Sequence, residues 1–217
     1  MGQAQDHPER VVHYWNLVAP RYLELYRDEL SGKPYDQETL KKFAATLGPN
    51  ALVCDAGCGP CGHINRFLAD AGAKVVGIDI SPKCVDLARQ EQPSLQFEVM
   101  DMGAMDFDND SFDGLIAYYS LHYQAKSKLG NVVKEFARVL RPNGRLLIAA
   151  KAGEQEGWIA DPLGSGEQVF WSEFTCEELQ SLVVQNGFQI EHCAVREPLP
   201  SEIPVRRIYV TALRMPA

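Results

Sequence analysis

The sequence lacks two features that mark large functional classes. Its longest uninterrupted apolar stretch, Leu146 to Ala150, has five residues, whereas a membrane-spanning helix needs about 20. It also has no excess of positive charge, since 21 Lys and Arg stand against 29 Asp and Glu and give a net charge of -8. A nucleic-acid surface needs clustered cations that neutralise phosphates, and the basic residues here are scattered. We therefore expect neither a membrane nor a nucleic acid as partner.

Signs of secretion are missing as well. The six cysteines, at positions 54, 58, 61, 84, 176 and 193, show no spacing typical of a disulfide framework, so reduced thiols are expected. The first six residues, MGQAQD, contain neither the basic nor the apolar stretch of an export signal. A cytoplasmic location is the resulting prediction. With 46% hydrophobic and 23% charged residues in 217, the chain is typical of a globular protein with one large domain.

The apolar periodicity changes near residue 51. Before it, residues 11–27 and 35–47 carry apolar side chains at helical spacing, and the first helix is expected to break near Pro20. After it, predicted strands alternate with predicted helices. The strands are 51–55, 74–79, 95–99, 114–118, 145–150, 189–195 and 206–212. This alternation indicates βαβ units in an α/β fold with a mostly parallel sheet.

The predicted organisation is one domain with two parts. Residues 1–50 form an N-terminal helical cap, and residues 51–217 form the core. Residues 151–174 interrupt the core as a lid insertion that is rich in glycine and aromatic side chains. These aromatic residues either line a substrate or anchor the insertion to the core.

The segment 53–63, VCDAGCGPCGH, follows the first strand, where an open parallel sheet binds its ligand. The letters CGPC at 58–61 match a thioredoxin-type redox motif. A thioredoxin-type motif is preceded by a tryptophan, which is absent here. The redox interpretation also gives no reason for Asp55-Ala56-Gly57, which come directly before Cys58. No metal site is expected either, because a tight glycine turn points the cysteines and the histidine in different directions.

A dinucleotide site is another interpretation of this segment. A Gly-x-Gly-x-x-Gly spacing begins at Gly57, and Asp79 ends the second strand, where a ribose-binding carboxylate belongs. Two neighbours oppose a phosphate ligand. Asp55 would repel it by about 4 kcal/mol at about 4 Å, and Pro60 lacks an N–H that a phosphate would accept.

These neighbours favour S-adenosylmethionine, which carries no phosphate but has a cationic amino group and a sulfonium. The carboxylate of Asp55 attracts such cations, and glycines let the backbone approach the ligand closely. Asp79 is predicted to accept hydrogen bonds from both ribose hydroxyls. Asp101 is predicted to accept from the adenine amino group, with Met102 and Ile80 on the two faces of the ring.

Five segments resemble, in order and interval, the motifs of class I S-adenosylmethionine-dependent methyltransferases, in particular small bacterial members that act on small molecules. They are Asp55-Ala-Gly-Cys-Gly, Gly77-Ile-Asp-Ile-Ser, Asp101-Met, Phe112-Asp-Gly-Leu-Ile and Leu140-Arg-Pro-Asn-Gly-Arg-Leu. The resemblance spans about residues 11–213. It implies a Rossmann-like, doubly wound sheet of seven strands whose last strand, 206–212, is antiparallel.

The resemblance also implies S-adenosylmethionine as cofactor and a cap helix whose aromatic residues close over it. The predicted cofactor-binding residues are Tyr14, Tyr22, Asp55, Ala56, Gly57, Gly59, Asp79, Ile80, Asp101, Met102 and Tyr118. His122 follows the fourth strand and is the candidate catalytic residue, either as a proton acceptor or as a side chain that only lines the pocket. Arg206 and Arg207 either blunt an edge strand or reach an anionic acceptor.

The predicted function is in-line transfer of a methyl group to a small-molecule acceptor, for which positioning supplies most of the rate enhancement. Two alternatives stay open at this point. One is an NAD(P)-dependent oxidoreductase on a Rossmann fold, and the other is a relative that binds the cofactor without methylating. The sequence predicts no oligomeric state.

Overall fold

The protein is described by a computed structural model that covers residues 8–216; the segment behind the export-signal prediction, residues 1–6, lies outside this range. The helices are α1 (Pro8–Tyr26), α2 (Pro34–Thr46), α3 (His63–Asp70), α4 (Pro82–Glu91), α5 (Leu129–Val139) and α6 (Cys176–Gln185). The strands are β1 (Leu52–Ala56), β2 (Lys74–Asp79), β3 (Gln96–Val99), β4 (Phe112–Tyr118), β5 (Leu140–Ala152), β6 (Glu156–Ala160), β7 (Gln168–Ser172), β8 (Phe188–Arg196) and β9 (Arg206–Arg214).

Seven of these strands form one sheet in the order β3-β2-β1-β4-β5-β9-β8. Strands β1 to β5 pair in parallel, whereas β9 runs antiparallel to both β5 and β8. The predicted seven-stranded sheet with an antiparallel last strand is therefore confirmed. The strand order changes direction between β1 and β4, and an open α/β sheet forms its ligand crevice at such a point.

Helix boundaries follow local signals in the sequence. The hydroxyl of Ser81 accepts a hydrogen bond from the Cys84 N–H at 3.1 Å, and Pro82 opens α4. Thr175 and Glu178 form the predicted capping box at the start of α6. These short-range contacts fix where α4 and α6 begin, and thus where the loop before each of these two helices ends.

The expected break in the first helix is wrong, since α1 continues through Pro20. A proline in a helix interior removes one backbone hydrogen bond and costs about 3 kcal/mol. Val18 and Leu23, on either side of it, are 2% and 7% exposed. Burial of each such side chain contributes about 1.5–3 kcal/mol, which offsets the cost of the proline.

The insertion contains a hairpin in which β6 and β7 form a separate two-stranded sheet. The hairpin packs against α1, where Val169 joins Tyr14 and Val18 in one cluster. The hydroxyl of Tyr14 donates to Asp161 Oδ1 at 2.6 Å in the hairpin loop. The cap helix and the insertion thus contact each other beside the sheet. Among residues 8–216, no helix combines the length and apolar character needed to cross a membrane.

Candidate active site

A cleft lies at the carboxyl ends of β1, β2 and β4, with α1 beside it; we call it the strand-end cleft. Nine predicted cofactor-binding residues line it: Tyr22, Asp55, Gly57, Gly59, Asp79, Ile80, Asp101, Met102 and Tyr118. The other two are not in its lining. Ala56 is fully buried, with its carbonyl accepting from the Ser120 hydroxyl at 2.6 Å. Tyr14 is 3% exposed and contacts the hairpin instead.

The turn after β1 is held tightly against neighbouring strands. The N–H groups of Gly57 and Cys58 donate to the Ile78 carbonyl at 2.8 and 3.0 Å. Gly57 has φ +86°, and a Cβ there would lie 2.3 Å from the Cβ of Ser120. Only glycine fits this position. Because glycine has no side chain, the backbone of the turn stays accessible from the cleft.

Asp79 is held by the backbone on both of its carboxylate oxygens. Oδ2 accepts from the Gly59 N–H at 3.0 Å, and Oδ1 accepts from the Ser81 N–H at 2.9 Å. Burial raises the pKa of Asp79 to about 6, although these two hydrogen bonds act in the opposite direction. Each oxygen keeps acceptor capacity for a further donor. The carboxylate is thus oriented before any ligand binds.

Asp55 is the buried carboxylate whose bonding is least complete. With the Asn65 amide assigned so that its oxygen accepts from the Gly77 N–H at 3.2 Å, its nitrogen donates to Asp55 Oδ2 at 2.7 Å. Oδ1 is buried without a hydrogen-bond partner among the described residues. Burial first, and the charge of Asp79 second, raise the pKa of Asp55 to about 8. An unpaired buried carboxylate oxygen in a cleft fits a cationic ligand group.

The far end of the strand-end cleft is less polar. Met102 is half-buried against the core, and Ile80 is also half-buried. Asp101 is exposed, and its Oδ1 accepts from the Gly103 N–H at 2.8 Å. Two apolar side chains beside one oriented carboxylate fit a flat heterocycle that carries an amino group.

Tyr118 lines the cleft but does not offer it a free hydroxyl. Its hydroxyl donates to Asp36 Oδ1 at 2.9 Å, and the neighbouring Tyr119 donates to the same oxygen at 2.8 Å. Tyr119 also has φ +56°, which is unusual for a residue other than glycine and occurs at functional sites. Tyr118 therefore presents its ring, with its orientation fixed from behind.

Sequence reasoning missed several residues that line the cleft. Trp15 lies in it, with its ring 5.4 Å from that of Tyr22 and 4.9 Å from that of Tyr123. Its position beside Tyr14 in the cap helix was the available signal. Glu29, in a short 3-10 helix, also lines the cleft, and no sequence pattern pointed to it.

His122 lies in an adjoining cavity of about 320 Å³, which we call the second cavity. Both spaces share a wall of Tyr22, Glu29, Tyr119 and Tyr123. The His122 ring is 1% exposed and packs 4.8 Å from Trp171, and neither ring nitrogen has a partner among the described residues. Burial first, then Lys151 and Arg207, hold its pKa well below the usual range. The imidazole is therefore neutral at pH 7.

The cysteines of the glycine turn do not have the properties of a redox pair. Cys58 and Cys61 are buried, at 7% and 2% exposure. Burial raises the pKa of both thiols, whereas a reactive dithiol needs a lowered pKa. Within the described part of the chain, no group of three or more His, Cys, Asp or Glu side chains could hold a metal ion.

Comparisons with known proteins agree with this geometry. A family described as a methyltransferase domain matches residues 53–144. Malonyl-acyl-carrier-protein O-methyltransferase of Pseudescherichia vulneris is 34% identical over 102 residues, which are 47% of this chain and 39% of that protein. The chain spans 38% to 60% of the length of the curated relatives it matches.

Two solved structures illustrate the likeness of fold. The 1,6-didemethyltoxoflavin-N1-methyltransferase of Burkholderia thailandensis, bound to 1,6-didemethyltoxoflavin and S-adenosylhomocysteine, has a TM-score of 0.68 at 22% identity. The alignment covers 100% of this chain and 94% of that one. Magnesium protoporphyrin IX methyltransferase of Synechocystis PCC 6803, with bound S-adenosylmethionine, has a TM-score of 0.72 at 22% identity, with 99% and 100% covered.

The family match covers the glycine turn, Asp79 and Asp101, which are the residues that build the strand-end cleft. The seven-stranded sheet and its antiparallel β9 are those that the five motifs implied. The chain therefore resembles methyltransferases in sequence over residues 53–144, and it shares its fold with S-adenosylmethionine-dependent methyltransferases of known structure.

Proposed function

We propose that the protein binds S-adenosylmethionine in the strand-end cleft and methylates a small molecule held in the second cavity. The observation that carries this proposal is the buried oxygen of Asp55 beside a glycine turn, which has no hydrogen-bond partner within residues 8–216. With the pKa of Asp55 raised to about 8, a cationic amino group would favour the ionised carboxylate and be attracted to it, whereas a phosphate would be repelled by it. None of the comparisons supports the alternative of a nicotinamide-dependent oxidoreductase.

Each residue of the cleft has a proposed task. Asp55 attracts the amino group of the cofactor, and the turn at Gly57 and Gly59 keeps the backbone close to its amino-acid part. Asp79 accepts from the ribose hydroxyls. Met102 and Ile80 cover the faces of the adenine, with Asp101 as acceptor for its amino group. The Ala56 carbonyl stabilises the turn by accepting a hydrogen bond from the Ser120 hydroxyl.

When bound, S-adenosylmethionine supplies an electrophilic methyl group on a sulfonium. The protein's contribution is to align the acceptor with that methyl group and to exclude water. Tyr22 and Tyr123 line both spaces, and Trp15 packs against both of these rings from the strand-end cleft. Tyr14 fixes α1 to the hairpin through Asp161, which holds the cap in place.

His122 has a proposed role as a hydrogen-bond acceptor for the methyl acceptor. A neutral imidazole presents one nitrogen that accepts a proton and one that donates. Because the pKa of His122 lies well below the usual range, it is a weak base and orients the acceptor more than it removes a proton. The cytoplasmic location and the absence of a nucleic-acid partner remain predictions from composition.

Asp79→Ala is expected to weaken S-adenosylmethionine binding by more than tenfold. The substitution removes a carboxylate that the Gly59 and Ser81 N–H groups orient toward the ligand, and a hydrogen bond to a charged group contributes about 1.5–3 kcal/mol. Isothermal titration calorimetry measures the affinity. Asp86→Ala, which removes an exposed carboxylate from α4, is the matched control and should leave it unchanged. Equal affinity of the Asp79 variant and the wild type would remove the ribose assignment.

Methyl transfer itself is tested with S-adenosylmethionine labelled in the methyl group. The protein is incubated with fractionated small metabolites, and both the label in products and the release of S-adenosylhomocysteine are followed. Product labelling supports a methyltransferase. Tight cofactor binding with no release of S-adenosylhomocysteine in any fraction would favour a relative that binds the cofactor without methylating.

A further inference from the structure

The second cavity contains two cations that lie directly opposite each other. Lys151 on β5 and Arg207 on β9 are register partners in an antiparallel pair, so their side chains project from the same face of the sheet. Both line the second cavity, and they are only 8% and 2% exposed. Like charges at directly opposed positions destabilise a sheet, and burial increases that cost. An anion between the two cationic side chains would remove this cost.

The carboxylates around the cavity lie beside cations other than Lys151. Glu29 pairs with Lys33 at 2.5 Å. Glu202 pairs with Arg196 at 2.7 Å and lies 3.7 Å from the Arg207 Nε. The third acid of the lining, Asp28, is exposed.

Lys151 is left without an acidic partner. Among residues 8–216, no carboxylate lies within 4.0 Å of its ammonium and no side-chain hydrogen bond reaches it. The ammonium lies 4.8 Å from the centre of the Tyr119 ring and 6.0 Å from that of Trp171. The Arg207 Nε has no hydrogen-bond partner within the described residues, although it lies 3.7 Å from a Glu202 carboxylate oxygen.

The surrounding walls indicate the shape of the occupant. Tyr22, Tyr119, Tyr123 and Trp171 line the cavity, and large aromatic walls favour a flat organic body. Its volume of about 320 Å³ is in the range of small-molecule sites. The shared wall places such a body next to the strand-end cleft.

We propose that the second cavity recognises a planar methyl acceptor through its carboxylate, which binds beside Lys151 and Arg207. This inference rests on the proposed function, because only that function makes the molecule in the second cavity a methyl acceptor. The carboxylate supplies the missing partner of Lys151 and separates two opposed cations. His122, on the same wall, then faces a neutral polar part of the acceptor.

The test uses benzoate and its neutral isostere benzamide as probes of the full-length protein saturated with S-adenosylhomocysteine. Calorimetry should show that benzoate binds more than tenfold more tightly than benzamide, as expected for a bond between charged groups. Lys151→Met should abolish this preference, whereas Lys151→Arg should keep most of it. Lys42→Met, which removes an exposed lysine of α2, is the control and should preserve the preference.

The outcomes separate the two proposals. Equal affinities for the two probes, no benzoate binding at millimolar concentration, or an unchanged preference in Lys151→Met would overturn the carboxylate site. Heat from S-adenosylhomocysteine, measured first on each protein, tests the cofactor proposal independently. If that heat is absent while benzoate is still preferred, the proposed function fails and the anion site stands.

Discussion

Replacing Asp36 by alanine is expected to lower the free energy of unfolding by about 3–5 kcal/mol, the usual cost of breaking a buried ion pair by removing one of its members. Asp36 lies on α2 and is fully buried. Its Oδ2 accepts from Arg196 on β8 at 2.8 Å. Removing the carboxylate leaves a half-buried guanidinium with Glu202 as its remaining ion-pair partner.

Three tyrosine hydroxyls depend on the same carboxylate. Tyr118, Tyr119 and Tyr209 donate to Asp36 Oδ1 at 2.9, 2.8 and 3.1 Å. Because the first two line the strand-end cleft, the variant should also bind S-adenosylmethionine less tightly. The network thus joins α2, the strands β8 and β9, and the cleft.

Urea unfolding followed by circular dichroism measures the effect. Asp70→Ala is the control, because Asp70 is an exposed carboxylate that pairs with Arg66 along α3. Its effect should stay within about 0.5 kcal/mol. An Asp36→Ala protein as stable as this control would show that the network contributes little to folding.

Lys151→Met is expected to stabilise the protein by about 1–4 kcal/mol at about pH 6, since it replaces a buried charge by an apolar side chain of similar length. Burial first, then the charges of Arg207 and Lys33, lower the pKa of Lys151 from 10.5 to about 7, while Glu29 and Glu202 act in the opposite direction. Below pH 7 the folded protein therefore carries the full cost of the buried ammonium.

The stabilisation should shrink as the pH rises. Between the folded pKa of about 7 and the unfolded value of 10.5, the unfolded chain binds a proton at Lys151 that the folded protein does not. The free energy of unfolding of the wild type therefore increases with pH in this window, and that of the methionine variant lacks this contribution. Urea unfolding at about pH 6 and about pH 9 compares the two. A difference that does not change with pH, or a variant less stable than the wild type at the lower pH, would contradict the prediction.

Local signals explain what the sequence predicted well. Ser81-Pro82 and the Thr175–Glu178 capping box act within one helical turn, so the starts of α4 and α6 could be located. Asp55 and Asp79 end neighbouring parallel strands, so they had to lie at the same edge of the sheet. The strand-end cleft was predictable because it is built from strand ends.

Long-range contacts explain what was missed. The Asp36 network joins residues up to 173 positions apart, and no pattern in the sequence marks such a pairing. Lys151 comes directly after the predicted strand 145–150, and its burial depends on Arg207 and the aromatic wall, which only the folded chain brings together. His122 was expected after the fourth strand, as a proton acceptor or as a side chain that lines the pocket. The short 3-10 helix Leu121–Tyr123 carries it, and its ring lies in the second cavity.

Calorimetric titration of the wild-type protein with S-adenosylmethionine, NADH and NADPH, each in turn, tests most directly whether the strand-end cleft is built for a cationic nucleoside. We predict saturable heat with S-adenosylmethionine and none with either dinucleotide, because a cationic group favours the ionised form of Asp55, whereas that form repels a diphosphate. Saturable binding of a dinucleotide, together with no heat from S-adenosylmethionine, would contradict the assignment.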